Sequence, residues 1–190
     1  MAKVKTNPII EQLRGKVGDL VFKRYGDSII ISRKPNVEGG KSSEAQQATR
    51  ERFREAAVYG KMVMADPETK ALYDEAAEAK GKPVFSLTIA DFFNAPSVEE
   101  VDLSGYAGRV EDPIIIRAHD DFDVMGVHVT IADSSGQLVE EGEATEPSAD
   151  SGHWVYTATQ PVPVGTTVRI TVTAKDRPGG KGEVSKEKVL

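Results

Sequence analysis

Val168-Arg169-Ile170-Thr171-Val172-Thr173-Ala174-Lys175 alternates apolar with polar residues over its whole length. That is the period of a strand with one face in a core and the other in water. Val127-His128-Val129-Thr130-Ile131-Ala132 repeats the pattern. Working outward from these two segments, alternation predicts seven strands, near 99–104, 112–119, 125–132, 137–144, 153–159, 166–175 and 183–189. Turn signals separate several of them, at Ser134-Ser135-Gly136, Ser151-Gly152, Pro163-Val164-Gly165 and Pro178-Gly179-Gly180. Seven short strands in one half of a chain favour two packed sheets, with Trp154, the single tryptophan, as a core anchor.

Before residue 97 the pattern is different. Asn94-Ala95-Pro96-Ser97 breaks the chain, and the predicted organisation is a hairpin-plus-helices assembly domain over 1–97 followed by an all-β domain over 98–190. Val17–Tyr25 and Ser28–Arg33 flank Gly26-Asp27 and read as a β-hairpin. Within it Val17, Leu20, Phe22, Ile29 and Ile31 are the candidate assembly interface. A lone hairpin is marginal in water and needs a partner surface.

Two or three short helices follow. Ser43 with Gln46 forms a capping box ahead of a helix whose stripe is Ala45, Thr49, Phe53, Ala56, Gly60 and Val63. Asp66-Pro67 opens a second helix that ends at Gly81 and shows Leu72, Ala76 and Ala79, plus Tyr73. Leu87–Phe93 is a third short element. The fold class expected is therefore α+β in the first half and all-β in the second.

Composition narrows the function. With no cysteine, disulfides and thiolate metal sites are excluded. The first residues carry no long apolar run, so no signal peptide is expected, nor is a membrane span. The protein is expected to be made in the cytoplasm, and to reach a virion or extracellular assembly if exported or released. Residues 1–97 hold 16 Lys/Arg against 13 Asp/Glu, and residues 98–190 hold 8 against 17. Opposite signs in the two halves favour head-to-tail contact between copies.

No nucleophile elbow, phosphate loop or zinc-binding helix motif is present, and no enzyme is expected. His119, His128 and His153 fall on strands or their ends and read as surface residues. Asp120, Asp121 and Asp123 share one loop and are the nearest approach to a calcium site. They lack the fixed spacing of a calcium loop, so no metal or cofactor is assigned. Arg50, Arg52 and Arg54 alternate with Glu51 and Glu55 and face different directions on a helix, which argues against nucleic acid as a partner.

Two resemblances extend this reading. Tyr106–Val110, Ala118–Asp121, Val127–Ile131, Gly142–Ala144, Trp154–Tyr156 and Ala174–Gly179 resemble bacterial immunoglobulin-like repeat domains, over essentially all of residues 98–190. That implies an immunoglobulin-like sandwich of about seven strands. Gly15–Gly18, Phe22–Arg24, Arg33–Pro35 and the Glu44–Phe53 segment resemble small phage- and prophage-associated proteins with a Gly-rich basic hairpin and an AQxxxRxxF helix. In this chain Asn36–Gly40 stands where that group has asparagine-proline. The second resemblance implies a self-assembling structural subunit of a phage-like particle or bacterial filament. Its partners would be other copies of itself, or another particle or surface protein. The alternative is an accessory module that attaches to a surface and presents its all-β half to a carbohydrate or protein.

Overall fold

The computed structural model describes residues 2–4, 14–25, 28–34, 43–149 and 151–190. Strands and helices follow in the order β1 (Ala2–Val4), β2 (Gly15–Val17), β3 (Leu20–Tyr25), β4 (Ser28–Arg33), α1 (Glu44–Ala65), α2 (Pro67–Lys80) and α3 (Val84–Phe93). They continue with β5 (Ser97–Asp102), β6 (Pro113–His119), β7 (Val124–Asp133), β8 (Leu138–Glu143), β9 (His153–Thr157), β10 (Thr167–Asp176) and β11 (Lys181–Val189). The chain is thus mixed α+β, with antiparallel sheets and a sheet-rich C-terminal part. It divides into two compact units, residues 1–47 and 48–190.

In the first unit the strand predicted over 17–25 is two strands. Gly18 takes the left-handed conformation, at φ 57°, and turns the chain with Asp19 between β2 and β3. The result is a four-stranded antiparallel sheet of order β1-β4-β3-β2, larger than the predicted hairpin. Lys34 N–H donates to the Asp19 carbonyl at 2.7 Å beyond the β3–β4 ladder. The Gly26-Asp27 turn and the Pro35–Gly40 link lie outside the described residues.

The second unit has two sheets, β11-β10-β7-β8 and β5-β6-β9. Ile170 sits opposite Ile131, Val172 opposite Val129 and Ala174 opposite Val127, so the alternating apolar positions line up on one face. From the other sheet Val101, Ile114, Ile116, Trp154 and Tyr156 enter the same core. All seven strands in this part lie within a few residues of the predicted spans. One-faced burial is what makes alternation informative.

The helices start and stop where their caps dictate. Ser43 and Gln46 exchange backbone-to-side-chain bonds at 3.3 Å each. Asp66 accepts from Thr69 N–H at 3.2 Å, and Gly81 closes α2 in the left-handed conformation. However, α1 runs 22 residues and is not short. Only the later part of its predicted stripe, Ala56, Gly60 and Val63, is buried, whereas Phe53 is 54% exposed. On α2 the buried residues are Tyr73 and Ala77, and Leu72 is 47% exposed.

The reason lies in the partner. Val63, Tyr73, Ala77 and Leu87 form a small core completed by Phe122, a residue of the β6–β7 loop. Phe122 stacks on Tyr73 with ring centres 3.9 Å apart and planes 10° from parallel. Three helices with mostly small buried residues cannot fill a core alone, and they borrow an aromatic ring from the sheets. The division of the chain therefore falls at Gln47/Ala48, and the Asn94–Ser97 boundary read from sequence lies inside the second unit.

Candidate assembly interface and acidic junction

The predicted interface residues come together on one side of the N-terminal sheet. Val17 faces Leu20, Phe22 faces Ile31 and Ile29 faces Arg24. Cross-strand partners share a face, as do residues two apart, so Val17, Leu20, Phe22, Ile29 and Ile31 form one apolar surface. Arg24 and Arg33 lie on the same face. Burial is graded across it: Ile29 is 1% exposed, Phe22 and Ile31 are half-buried, and Leu20 and Val17 are 42% and 63% exposed.

Charge follows the observed division more sharply than the predicted one. Residues 1–47 hold nine Lys/Arg against five Asp/Glu, and residues 48–190 hold 15 against 25. A basic unit with an open apolar face is thus joined to a strongly acidic one.

The sheet edges of the second unit are guarded. Lys186 on β11 donates to the Val101 carbonyl at 2.7 Å, and Lys188 to those of Leu103 and Tyr106 at 2.5 and 2.6 Å. Edge strand β8 turns a carboxylate inward. Glu140 Oε2 accepts from Tyr156 O–H at 3.1 Å, Thr159 N–H at 2.7 Å, Thr159 O–H at 2.6 Å and Gln160 N–H at 3.2 Å. Beside β9, Thr145 bridges to Val155. Inward charges and lysine clamps are devices that keep a sheet edge from pairing with a stranger.

Asp120, Asp121 and Asp123 do sit together, but their bonds run to different partners. Asp120 Oδ2 accepts from the backbone N–H of Phe122 and Asp123 at 3.0 and 3.2 Å, closing the loop on itself. Asp121 is engaged by Asn94 through its carboxylate and by Lys80 through its carbonyl. Asp123 meets Arg177 at 3.5 Å. Among the described residues no group of three or more His, Asp or Glu side chains is arranged to hold a metal ion. The loop lines a cleft of about 260 Å³ with Glu146, His119 and Trp154.

The histidines divide between the two sheets, one on the first and two on the second. His128 on β7 lies between Glu143 at 3.0 Å and Glu141 at 3.5 Å, whereas His119 and His153 belong to β6 and β9. Trp154 is buried in the shared core, and its Nε1 has no hydrogen-bond partner among the described residues.

A network joining α1, α2 and α3 was missed by sequence reasoning. Tyr59 and Tyr73 hydroxyls bond at 2.7 Å, and Tyr73 O–H donates to Asp91 Oδ2. Asp91 is fully buried, and its Oδ1 has no hydrogen-bond partner among the described residues. Burial pushes the Asp91 carboxyl up to about 7, with Asp120 and Asp176 adding to the effect against the bond from Tyr73. Asp176 is also raised, by burial first, although Gly179 and Gly180 N–H donate to its Oδ1 at 2.8 and 2.5 Å. Burial and the bonds to Asp91 and Tyr59 drive the Tyr73 phenol far up. The available signal was Asp91 itself, the only acid in Val84-Phe-Ser-Leu-Thr-Ile-Ala-Asp-Phe-Phe93.

No helix among the described residues is long and apolar enough to cross a membrane. No family model matches the chain. No curated protein matches it either. Among solved structures, CopC from Methylosinus trichosporium OB3b is similar at 18% identity with a TM-score of 0.38, over 48% of this chain and 89% of that one.

Proposed function

We propose that the protein is a non-enzymatic, self-assembling structural subunit of a phage-like particle or bacterial filament, joined to its neighbours through the N-terminal sheet. The observation that carries this reading is the single apolar face of Val17, Leu20, Phe22, Ile29 and Ile31, open at its β2 end. Three-residue β1 pairs with β4 at the opposite edge of the same sheet, and a short terminal strand is easily exchanged between copies. Guarded edges in the second unit leave the first unit as the adhesive one. The seven strands of residues 97–189 are read as an immunoglobulin-like sandwich. The split into β11-β10-β7-β8 and β5-β6-β9 around one core supports that reading.

The test is the mass of the purified full chain by light scattering across a concentration series. The native chain is expected to form concentration-dependent oligomers, and V17D/L20D to be a folded monomer. Deletion of residues 1–35 should give the same monomer. A truncated chain that assembles to unchanged mass would sink the proposal.

A second reading, an accessory module presenting the two-sheet part to a carbohydrate or protein, rests on the acidic cleft of Asp120, Asp121, Asp123 and Glu146. It predicts that the native chain alone stays monomeric at every concentration, which negative-stain microscopy distinguishes from polymers.

A further inference from the structure

Asp91 comes from α3, Asp120 from the β6–β7 loop and Asp176 from the end of β10. We propose that these three carboxyls form a proton-operated latch that holds the helices on the sheets and releases them when the proton leaves. A buried carboxyl oxygen without a donor favours the protonated form, because a carboxylate has only acceptors and its charge is desolvated there. Asp91 accepts from Tyr73, whose ring stacks on Phe122, and Asp120 accepts from the Phe122 N–H, so the two acids flank one stack; in each the Oδ1 oxygen is buried without a donor among the described residues. Asp176 Oδ2 is likewise buried and without a donor.

Among the described residues no cation hydrogen-bonds Asp91, Asp120 or Asp176, although the Arg177 Nε is buried without a partner. Facing the cluster are Tyr59 from α1, and Tyr73 and Lys80 from α2. Lys80 is committed to the Asp121 carbonyl. The loop adds Asp121 and Asp123, and the chain after β10 adds Arg177, whose Nη2 reaches Asp123 at 3.5 Å. Losing the proton leaves adjacent buried negative charges on opposite sides of the helix–sheet contact. The same contact holds the Tyr73–Phe122 stack, so opening it uncovers Tyr73, Leu87 and Phe122 together. The latch is independent of the N-terminal sheet and of any assembly through it.

Hydrogen exchange of the full chain by mass spectrometry, between pH 5 and pH 8 and corrected for the intrinsic pH dependence of exchange, tests it. Protection of α2 and α3 is expected to fall about tenfold or more as pH rises, while β7 and β10 keep theirs. Asp91→Asn, which keeps an acceptor for Tyr73 and cannot ionise, should remove the pH dependence. Flat protection in the native chain, an equal fall in β10, or an unchanged fall in Asp91→Asn each overturns the latch. If Asp91→Asn does not fold, side-chain carbon shifts of Asp91 in the native protein decide: ordinary carboxylate titration overturns the proposal. Restoration of protection at pH 8 by calcium also overturns it, in favour of a cation site.

Discussion

Asp91 is a single charge-bearing group among the apolar residues of α3, and the fold has placed it where water cannot reach. Its carboxyl, raised from 3.8 to about 7, binds a proton in the folded chain that the unfolded chain has lost. Stability from this group is complete below about pH 4 and falls as pH rises to 7, by of order 4 kcal/mol. Asp66, Asp102, Asp112 and Asp133 have the opposite sign. Hydrogen bonds from Thr69, Ser104, Arg109 and Ser135, respectively, hold them below the ordinary carboxylate range. Their contribution is lost as pH falls below about 4. The urea midpoint should therefore peak near pH 4–5 and decline toward neutrality; a peak at pH 7 or above would contradict the assignment. Tyr73→Phe removes the donor to Asp91 and the partner of Tyr59 while keeping the ring on Phe122. It should cost about 1–3 kcal/mol in urea unfolding at pH 5. Only the lone acid of α3 was legible beforehand, because the acids that act on it lie about 30 and 85 residues further along the chain.

At the level of elements, what the sequence revealed depended on what each element packs against. β7 and β10 bury one face each, so alternation located them and fixed which residues point inward. The β2–β3 turn was missed because Gly18-Asp19 interrupts an otherwise apolar run without any polar cluster around it. The face of α2 was misread because its partner is Phe122, and no periodicity within α2 records a distant loop. Close backbone approach is equally invisible in sequence. A Cβ on Gly182 of β11 would overlap the Pro96 carbonyl oxygen beside β5, one of the places where the two sheets approach. Gly182→Ala should cost about 1–3 kcal/mol, because the obstacle is backbone and cannot rotate away. Gly126→Ala on β7 would meet only Glu143 Oε2 at 3.8 Å and is the control, expected within about 0.5 kcal/mol of the native chain. Equal effects at both positions would show that the β5–β11 approach is looser than described.

For the whole molecule, the two units differ in charge as well as in structure, and that difference constrains any assembly. If first units paired face to face, two surfaces each carrying an excess of positive charge would meet, and added salt would strengthen the contact by screening their repulsion. If the first unit of one copy docks on the second unit of the next, nine Lys/Arg against five Asp/Glu meet 15 against 25, and salt weakens the contact. The second arrangement is heterologous. Each copy offers two different surfaces, so the contact repeats from copy to copy and closes into a ring or runs on as a filament, whereas face-to-face pairing stops at a dimer. The opposite charges favour the heterologous arrangement. Raising ionic strength from low salt to about 0.5 M, where the screening length drops to a few ångströms, should lower the scattering mass of the native chain. Under the same conditions V17D/L20D should not respond, since its apolar face is broken before charge can act. A mass that rises with salt and stops at a dimer would instead assign the contact to paired first units.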